Sequence, residues 1–521
     1  MNFQSVPEMI RKWGPQKPDA LALSTPARDW TYGDLERESN RVAQGLRAQG
    51  IVRGDRVATL TRNAAECLVL CLGANKIGAV MSPLNWRLAP AELDYVVNHS
   101  EARFIMVDKA FMANVGQLRL AKTPRIVVTE GNSADGAEGF LAWASAFDAV
   151  DPGYLPTPDE TALQLYSSGT TGKPKGVELS HANLMFQCNV ISEYFGYRRG
   201  QPVVLLDALP NFHVSGIVNL LTILHEAALT VARPDFVAPD IVESINRHGV
   251  TNTFLVPVMM RMLAQAVTDL KVKLPSLRAV GYGGSPVSET VLNEVRDALG
   301  CGLIQVFGMT ELGGMATCLD PQDHDDAELL RSAGKPLADV RLRIVNLADG
   351  SACAEGEVGE LWVQSGSVMK GYFRNPEASR EALPEPAGEG RWLRSGDIGC
   401  IKDGYLYIRD RLKEMIISGG ENIYPAEVEN VIASHPAVAD VAVIGVPDSK
   451  WGEAVKACVV LKPGAIAGAD EIIAFTRGQL AHYKCPKSVD FVATLPRNLS
   501  GKLLKRILRE PYWQDQGRAI G

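Results

Sequence analysis

The chain has 521 residues, of which 46% are hydrophobic and 22% charged, and its formal net charge is −7. This length predicts two or more domains with sizeable cores, and the composition is that of a soluble globular protein. The negative charge argues against a nucleic-acid partner, because phosphate backbones are bound by concentrated Lys and Arg.

The nine Cys residues are scattered and include no C-x-x-C pair, which is the spacing that zinc and thioredoxin-like sites need. Free thiols are typical of a reducing compartment, and the first residues lack the apolar core of a signal peptide. The longest apolar runs, near residues 67–74 and 217–224, are too short to span a bilayer. We therefore expect a cytoplasmic protein without a transmembrane segment. A weak peripheral contact with a membrane and a homodimer stay open.

The hydrophobic pattern from Trp30 onward predicts an α/β fold. Thr31 and Asp34 form a helix-start signature. A strand at residues 57–60, a helix at 64–76 and a strand at 79–83 form a strand–helix–strand unit, which favours a parallel sheet covered by helices. The same alternation continues through apolar runs at residues 202–209, 253–256, 277–280 and 303–306.

The pattern changes twice in the last third of the chain. After Gly350, many Gly residues separate short strands, which predicts a mainly antiparallel subdomain with tight turns. Beyond residues 410–413 lies a compact unit of about one hundred residues, within the usual size of a domain. Its predicted elements are strands at residues 441–446 and 457–461 and helices near 426–433 and 470–480.

The strongest local motif is Tyr166-Ser-Ser-Gly-Thr-Thr-Gly-Lys-Pro-Lys-Gly176. Glycines let the backbone turn its N–H groups toward one point, and the hydroxyl and ammonium groups add donors, which suits a polyphosphate. It is not a Walker loop, because Pro174 follows Lys173 where that pattern requires Ser or Thr. A flexible surface turn is disfavoured, because the motif lies between an apolar strand and a helix start.

A second motif, Gln305-Val-Phe-Gly-Met-Thr-Glu311, follows an apolar strand. Ligands of open α/β sheets gather at the carboxyl ends of such strands. Phe307 can stack on a base, Thr310 can donate to a phosphate, and Glu311 is a hard oxygen ligand suited to Mg²⁺. Taken alone, the heptad equally indicates a strand followed by a helix cap.

Three weaker segments complete the set. In Arg394-Ser-Gly-Asp-Ile-Gly399, Asp397 could accept two hydroxyl hydrogens, as from a ribose diol, although a turn-forming Asp is the commoner explanation. Residues 410–429 join charged residues to an apolar strand, a Gly pair and a helix that begins at Pro425. Near the C-terminus, Lys502 follows a Gly in a polar stretch, where a lone Lys is usually a solvated charge.

In this order, the five segments resemble the acyl- and aryl-CoA synthetases of the adenylate-forming superfamily, and most of all bacterial fatty-acyl-CoA synthetases. The resemblance implies a large N-terminal multi-sheet α/β domain with an antiparallel β subdomain, at residues 1–411. It implies a small α+β C-terminal lid at residues 412–521, which rotates between adenylation and thioester formation. It also implies that the enzyme uses ATP, Mg²⁺ and coenzyme A.

The resemblance carries the family's residue roles onto matching positions. The catalytic residues would be Lys502, Glu311, Thr310 and His213, with His213 beside the substrate carboxylate. The phosphate loop would be Ser168, Gly169, Thr170, Thr171, Gly172 and Lys173, with Thr170 and Glu311 as the Mg²⁺ ligands. The adenine site would comprise Gly283, Gly284, Ser285 and Phe307, and Gly308 and Met309 would be further cofactor-binding residues. Asp397 and Arg411 would hold the ribose and its phosphate, Lys413 would be the hinge, and Gly419 and Gly420 would border the pantetheine tunnel.

The motifs leave the acyl substrate open. The small residues Ser215, Gly216, Gly313 and Gly314 suggest an open tunnel for a medium- or long-chain fatty acid, but close backbone packing explains them equally well. An aromatic-acid CoA ligase of the 4-coumarate or benzoate type and an acyl-AMP ligase that loads a carrier protein are the alternatives. A luciferase-like oxidase and an inactive binding module are disfavoured.

Overall fold

The computed structural model describes residues 3–131, 136–167, 173–197, 200–285, 287, 289–419, 421–448, 450–497 and 503–513. The chain divides into two compact units. The large unit comprises Met1–Arg341 and Val363–Leu393, and the small unit comprises Leu342–Trp362 and Arg394–Gly521.

The helices are, in chain order, α1 (Val6–Gln16), α2 (Tyr32–Ala48), α3 (Ala65–Asn75), α4 (Pro90–Ser100), α5 (Met112–Val115), α6 (Phe140–Ser145), α7 (His181–Tyr194), α8 (Val214–His225), α9 (Ala238–His248), α10 (Pro257–Leu270), α11 (Glu289–Leu299), α12 (Pro376–Ala382), α13 (Pro425–Ala433), α14 (Ala469–Arg477) and α15 (Lys505–Trp513). Short 3₁₀ turns occupy Lys109–Phe111, Thr310–Leu312, Pro321–Asp325 and Leu329–Arg331.

The strands are β1 (Leu21–Ser24), β2 (Asp29–Thr31), β3 (Arg56–Leu60), β4 (Val80–Pro83), β5 (Phe104–Val107), β6 (Arg125–Val128), β7 (Thr161–Ser167), β8 (Lys175–Ser180), β9 (Val204–Asp207), β10 (Leu229–Ala232), β11 (Asn252–Leu255), β12 (Ala279–Gly283), β13 (Gly302–Met309), β14 (Gly314–Leu319), β15 (Lys335–Pro336), β16 (Arg341–Val345), β17 (Gly359–Gln364), β18 (Gly371–Tyr372), β19 (Leu393–Lys402), β20 (Tyr405–Arg411), β21 (Ile416–Ser418), β22 (Glu421–Ile423), β23 (Val438–Asp448), β24 (Gly452–Leu461) and β25 (Ser488–Phe491).

Two mixed sheets form the large unit. The nine-stranded sheet has the order β15-β14-β13-β12-β11-β9-β10-β1-β2, with parallel pairing from β13 to β1 and antiparallel strands at both edges. The seven-stranded sheet has the order β18-β8-β7-β4-β3-β5-β6, with β8 and β18 antiparallel. The predicted strand–helix–strand unit is β3-α3-β4, whose strands pair in parallel.

Local side-chain caps explain where two of the helices begin. At the start of α2, the Asp34 backbone N–H donates to Thr31 Oγ1 at 3.1 Å, and the Thr31 N–H donates to Asp34 Oδ2 at 3.1 Å. Ser180 and Asn183 make the same reciprocal pair at the start of α7, at 3.2 and 2.9 Å. Such capping boxes satisfy N–H groups that a helix leaves unpaired, so both predicted helix starts are confirmed.

Both long apolar runs form buried helices, α3 and α8. Within the described residues, no helix is long and apolar enough to cross a membrane. Part of the core of the large unit lies where β9, β11 and β12 pack against α9, α10 and α11. It includes Leu206, Ile241, Leu263 and Val295.

Two further sheets lie largely in the small unit. One sheet has the order β16-β17-β19-β20, and β19 and β20 pair antiparallel. The other has the order β22-β21-β24-β23, with β25 parallel to β24. Two of its helices, α13 and α14, pack on the second sheet through Val428, Ile432 and Ile472. The predicted fold class, α/β with a smaller α+β C-terminal part, is confirmed.

A buried carboxyl group ends β9. Asp207 is 3% exposed, and the Leu209 N–H donates to its Oδ1 at 3.3 Å. No described residue makes a hydrogen bond with Oδ2. Burial raises the pKa of Asp207 to about 8, because removal from water penalises the charged form.

This pKa makes stability depend on pH. Between the ordinary carboxyl pKa and about 8, the folded state binds more protons than the unfolded state. The free energy of unfolding therefore falls as pH rises, by at most about 1.4 kcal/mol per pH unit. Asp207→Asn keeps the acceptor for Leu209 and removes the titration. We expect the melting temperature of the variant, relative to the wild type, to rise between about pH 5.5 and 8.5. A constant difference across that range would contradict the assignment.

Candidate active site

The carboxylate of Glu311 is where distant parts of the large unit meet. Glu311 lies in the 3₁₀ turn directly after β13 and is 7% exposed. Ser167, the last residue of β7, donates from Oγ to Glu311 Oε1 at 3.0 Å. Tyr372, in β18, donates from its hydroxyl to the same oxygen at 3.1 Å. Two strands of the seven-stranded sheet thus orient a carboxylate that follows β13 of the nine-stranded sheet.

A buried amide fixes the backbone behind Glu311. Gln187, on α7, donates from Nε2 to the carbonyl oxygens of Leu312 and Met315 at 3.0 and 2.8 Å. Its Oε1 accepts from the Met315 N–H at 3.3 Å. The turn also needs glycine, because a Cβ at Gly308 would overlap the carbonyl oxygen of Gly314. The position of Glu311 is therefore set by α7 as well as by β13 and β14.

Burial and the neighbouring Glu311 keep the Tyr372 hydroxyl protonated, so it can act as a donor. Burial, followed by the charge and hydrogen bond of Glu311, raises the pKa of Tyr372. The Lys175 ammonium group lies 4.6 Å from the centre of the Tyr372 ring. Lys173, which the sequence assigned to the phosphate loop, lies 5.3 Å from the centre of the Tyr95 ring. Two cations of this motif thus lie on aromatic faces.

Glu311 suits a magnesium ion that arrives with a polyphosphate. Both hydroxyl donors use Oε1, and no donor among the described residues reaches Oε2. The described part of the chain has no group of three or more His, Cys, Asp or Glu that could hold a metal by itself. Mg²⁺ in phosphate sites is usually bound by one or two carboxylates together with substrate oxygens, so this donor set fits it.

Several predicted residues of the phosphate loop lie outside the described residues, namely Ser168, Gly169, Thr170, Thr171 and Gly172. Thr170, the second predicted Mg²⁺ ligand, is among them. Their assigned roles stay predictions. The described residues on either side are Ser167, at the end of β7, and Lys173.

The residues predicted to line the adenine site end two neighbouring parallel strands. Gly283 ends β12, and Gly283 and Val306 are partners in the pairing of β12 with β13. A Cβ at Gly283 would overlap the Val306 carbonyl oxygen, and Gly284 has a φ of +83°. Ser285 follows, and across the pair lie Phe307, Gly308 and Met309. The two predicted segments are therefore adjacent at the carboxyl ends of β12 and β13.

His213 precedes α8 as its N-cap residue. Burial, and secondly the positive charge of Arg87, lower the pKa of His213 to about 4, so its imidazole is neutral at pH 7. Its ring centre is 4.5 Å from that of Phe212. Trp86 lies edge-on to Phe212 at 6.3 Å and stacks on Phe111 at 5.0 Å. His213 thus lies beside an aromatic cluster.

Local structure explains two of the small residues that suggested a tunnel. A Cβ at Gly216 would lie 2.5 Å from the carbonyl oxygen of Pro210. Gly314 has a φ of +147°, a backbone conformation that residues with a Cβ rarely adopt. Both positions favour glycine whatever the substrate, so neither residue is evidence for an open tunnel.

The small unit contains the predicted ribose residues. Asp397 and Arg411 are paired across β19 and β20, and Arg411 Nε is 2.6 Å from Asp397 Oδ1. The Asp397 side chain is 4% exposed, so its carboxylate is largely shielded from water. Lys413 follows the strand, while Gly419 has a φ of +63° beside the Trp451 ring. Gly420 and Lys502 lie outside the described residues.

Comparison with protein families decides the classification. A model described as AMP-binding enzyme matches residues 10–373, and one described as AMP-binding enzyme C-terminal domain matches residues 427–502. The chain belongs to the AMP-binding enzyme family. The predicted family and the predicted enzyme class, an AMP-forming acid–thiol ligase, are confirmed.

Known members of the AMP-binding family match over nearly the full length. The fatty acid–[acyl-carrier-protein] ligase ScoC of Streptomyces coeruleorubidus is 35% identical, over 97% of this chain and 96% of that protein. A feruloyl-CoA synthase of Amycolatopsis sp is 38% identical, over 95% and 96%. The crystal structure of ATP-bound MatB from Rhodopseudomonas palustris has a TM-score of 0.86 at 30% identity, covering 98% of this chain and all of that one.

Three residues around Glu311 were absent from the sequence-based site. Ser167 lies inside the quoted Gly-rich motif, so its position there was the available signal. Tyr372 is a single aromatic residue after Gly371, and Gln187 is one amide inside a helix. Neither belongs to a local pattern that marks it as a site residue.

We expect Tyr372→Phe to slow adenylation. The change removes one donor to Glu311, and a hydrogen bond to a charged group contributes about 1.5 kcal/mol, or about tenfold in rate. Tyr154→Phe is the matched control, because the Tyr154 hydroxyl donates to the Glu160 carboxylate at 2.7 Å elsewhere in the large unit. Exchange of labelled pyrophosphate into ATP measures the step. Similar rates in the two variants would show that the Tyr372 bond has no part in it.

Proposed function

We propose that the chain activates a medium- or long-chain fatty acid as its acyl-AMP and transfers the acyl group to coenzyme A, with release of pyrophosphate and AMP. The broader activity, ATP-dependent ligation of a carboxylic acid to a thiol, follows from family membership. CoA ligases of this family use ATP, Mg²⁺ and coenzyme A, as predicted. The observation that carries the proposal is the hydrogen bond between Ser167 and Glu311.

That hydrogen bond supports a phosphate site for a physical reason. Ser167 is the residue immediately before the Gly-rich stretch, and Glu311 ends the second motif. A loop that binds phosphate through N–H groups and a carboxylate suited to Mg²⁺ must lie close together if they hold one polyphosphate. Ser167 and Glu311 are 144 positions apart in the chain, so local structure alone does not explain their contact.

In the first half-reaction, a carboxylate oxygen of the acid attacks the α-phosphorus of ATP. A new P–O bond forms, the bond to pyrophosphate breaks, and pyrophosphate leaves. Because both reactants are anions, positive charge is needed between them. Glu311 and Thr170 would hold Mg²⁺ bound with ATP, which would supply part of this charge. Lys502 supplies the rest in our proposal, with Thr310 as a phosphate donor.

The chain's own residues then organise the acid. His213 is neutral, since its pKa is about 4, and can exchange hydrogen bonds with a carboxylate without adding charge. Arg87 is the cation whose charge reaches His213. In this arrangement, Arg87 attracts the acid and His213 orients it.

In the second half-reaction, the thiol loses its proton to solvent, its sulfur attacks the acyl carbon, the acyl–phosphate bond breaks, and AMP leaves. We assign the ribose of the nucleotide to Asp397 and Arg411, the hinge to Lys413 and the border of the pantetheine path to Gly419 and Gly420. We place the division between the catalytic domain and the lid at residues 411 and 412. The ion pair of Asp397 with Arg411 supports a preorganised ribose site.

Two observations favour a fatty acid as the substrate. The name of ScoC favours a fatty acid, and Val214 and Ser215, which follow His213, are small and half-buried. An aromatic acid is the second candidate, favoured by the 38% identity to feruloyl-CoA synthase and by the aromatic cluster beside His213. The acceptor named for ScoC, an acyl-carrier protein, is the alternative to coenzyme A.

A substrate screen decides among these candidates. We expect kcat/KM for octanoate or palmitate, measured as CoA consumption, to exceed that for 4-coumarate by at least about tenfold. Preference for 4-coumarate would establish the aromatic alternative. A parallel arm replaces coenzyme A with a phosphopantetheinylated acyl-carrier protein. Thioester formation only in that arm would overturn the assignment of coenzyme A.

Separation of the two half-reactions tests the role of Lys502. We expect Lys502→Ala to abolish pyrophosphate exchange, because the charge that offsets the anions is lost, and to retain most of the thioester step when acyl-AMP is supplied. Lys462→Ala is the control: Lys462 is another lysine of the small unit, and its ammonium group donates to the Pro436 carbonyl oxygen at 2.8 Å. Equal loss of both half-reactions in Lys502→Ala would refute the assignment.

A further inference from the structure

A buried lysine in the small unit has no part in the function described so far. Lys505 is the first residue of α15 and is 6% exposed. Its ammonium nitrogen is 2.8 Å from Glu429 Oε1 and 3.5 Å from Glu414 Oε2. Lysine is almost never buried to this degree unless it is paired, so these contacts hold α15 at a defined place.

Glu429 connects the lysine to two other elements. It lies on α13, and its Oε1 accepts from the Val443 N–H of β23 at 2.7 Å as well as from Lys505. Asp410, near the end of β20, accepts from the Ala426 N–H at 2.8 Å, which satisfies an unpaired donor in the first turn of α13. The carboxylates thus join β20, α13 and β23 around one ammonium group.

The electrostatics favour a charged lysine. Burial alone would lower the pKa of Lys505, but Glu429, Asp410 and Glu414 raise it above its ordinary value. One cation therefore stands among three acidic groups. Removing it would leave buried carboxyl groups without their partner, which is costly in a low-dielectric interior.

Arg509 lies one turn further along α15, on the same face as Lys505. Its Nη1 donates to the Lys413 carbonyl oxygen and its Nη2 to the Glu414 carbonyl oxygen, each at 3.2 Å. The helix is therefore bonded directly to the backbone that follows β20. We call this set the α15 brace: Lys505, Arg509, Asp410, Glu414 and Glu429.

The other end of the segment that contains Lys502 is also attached. Arg497 and Leu503 form an antiparallel bridge, and the Leu504 N–H donates to the Pro496 carbonyl oxygen at 2.8 Å. Arg497 pairs with Asp440 of β23 at 2.8 Å. Residues 498–502 are outside the described residues, but the described residues on both sides are bonded to each other and to the rest of the unit.

We propose that Lys505 and Arg509 are positioning residues for adenylation. Through Arg509, the α15 brace fixes α15, whose first residue is three positions after Lys502, to the backbone of Lys413 and Glu414. This inference rests on the proposed roles of Lys413 and Lys502. Its physical reason is the cost of misplacement, because an error of about 1 Å in a reacting group can reduce a rate about a hundredfold.

The test compares Lys505→Met, Arg509→Gln and Lys505→Arg with the control Lys484→Met. Lys484 is another paired lysine of the small unit, with its ammonium group 2.7 Å from Glu427 Oε1 on α13. We expect Lys505→Met and Arg509→Gln to lower kcat for pyrophosphate exchange at least about tenfold, with KM for ATP changed by less than about twofold. The thioester step from supplied acyl-AMP should be largely retained.

The conservative variant separates positioning from folding. Lys505→Arg keeps the charge and should recover most of the exchange rate, while Lys484→Met should behave like the wild type. Equal loss of both half-reactions would overturn the proposal, as would an unchanged exchange rate in Lys505→Met and Arg509→Gln. If Lys505→Met does not fold, the half-buried Arg509 position decides the outcome.

Hydrogen–deuterium exchange gives a readout that does not depend on activity. We expect the peptide spanning residues 496–504 to exchange faster in Lys505→Met and Arg509→Gln than in Lys484→Met, because loss of the brace allows local opening. Unchanged exchange in that peptide would overturn the inference. If the wild type catalyses no pyrophosphate exchange with any acid, the proposed function fails, whereas this measurement still tests the brace.

Discussion

The central constraint on this molecule is electrostatic: an acid and a polyphosphate, both anions, must approach each other. In our proposal, the large unit meets part of it at Glu311, whose Oε1 accepts from Ser167 and Tyr372. Two neutral hydroxyls orient the carboxylate without cancelling its charge, so it remains able to hold a cation. Gln187 secures the following turn, and the geometry therefore depends on α7 as much as on the strands.

Near His213, burial favours the uncharged forms of two ionisable groups. Asp207 and His213 both lie between the end of β9 and the start of α8, and burial shifts their pKa values to about 8 and about 4. At neutral pH the carboxyl is therefore mostly protonated and the imidazole is neutral. A segment with two ionisable groups thus contributes little charge of its own at neutral pH.

Local signals predicted the elements well. The capping boxes at Thr31 and Ser180 and the β3-α3-β4 unit are set by residues a few positions apart, and all were found. Contacts set by sheet order could not be predicted in this way. Tyr372 contacts Glu311 because β18 pairs with β8 at the edge of the seven-stranded sheet. Gly216 has no room for a Cβ, because the Pro210 carbonyl oxygen packs against it. Chain folding, not sequence pattern, decides such neighbours.

The bond between Ser167 and Glu311 also bears on how the molecule assembles. Its partners are 144 residues apart, and those of the Tyr372 bond are 61 apart. Such long-range contacts stabilise the fold only after the entropy of loop closure has been lost. A chain in which β7, β13 and β18 have not come together would lack the oriented carboxylate. The proposed site therefore forms with both sheets and not from any one segment of the chain.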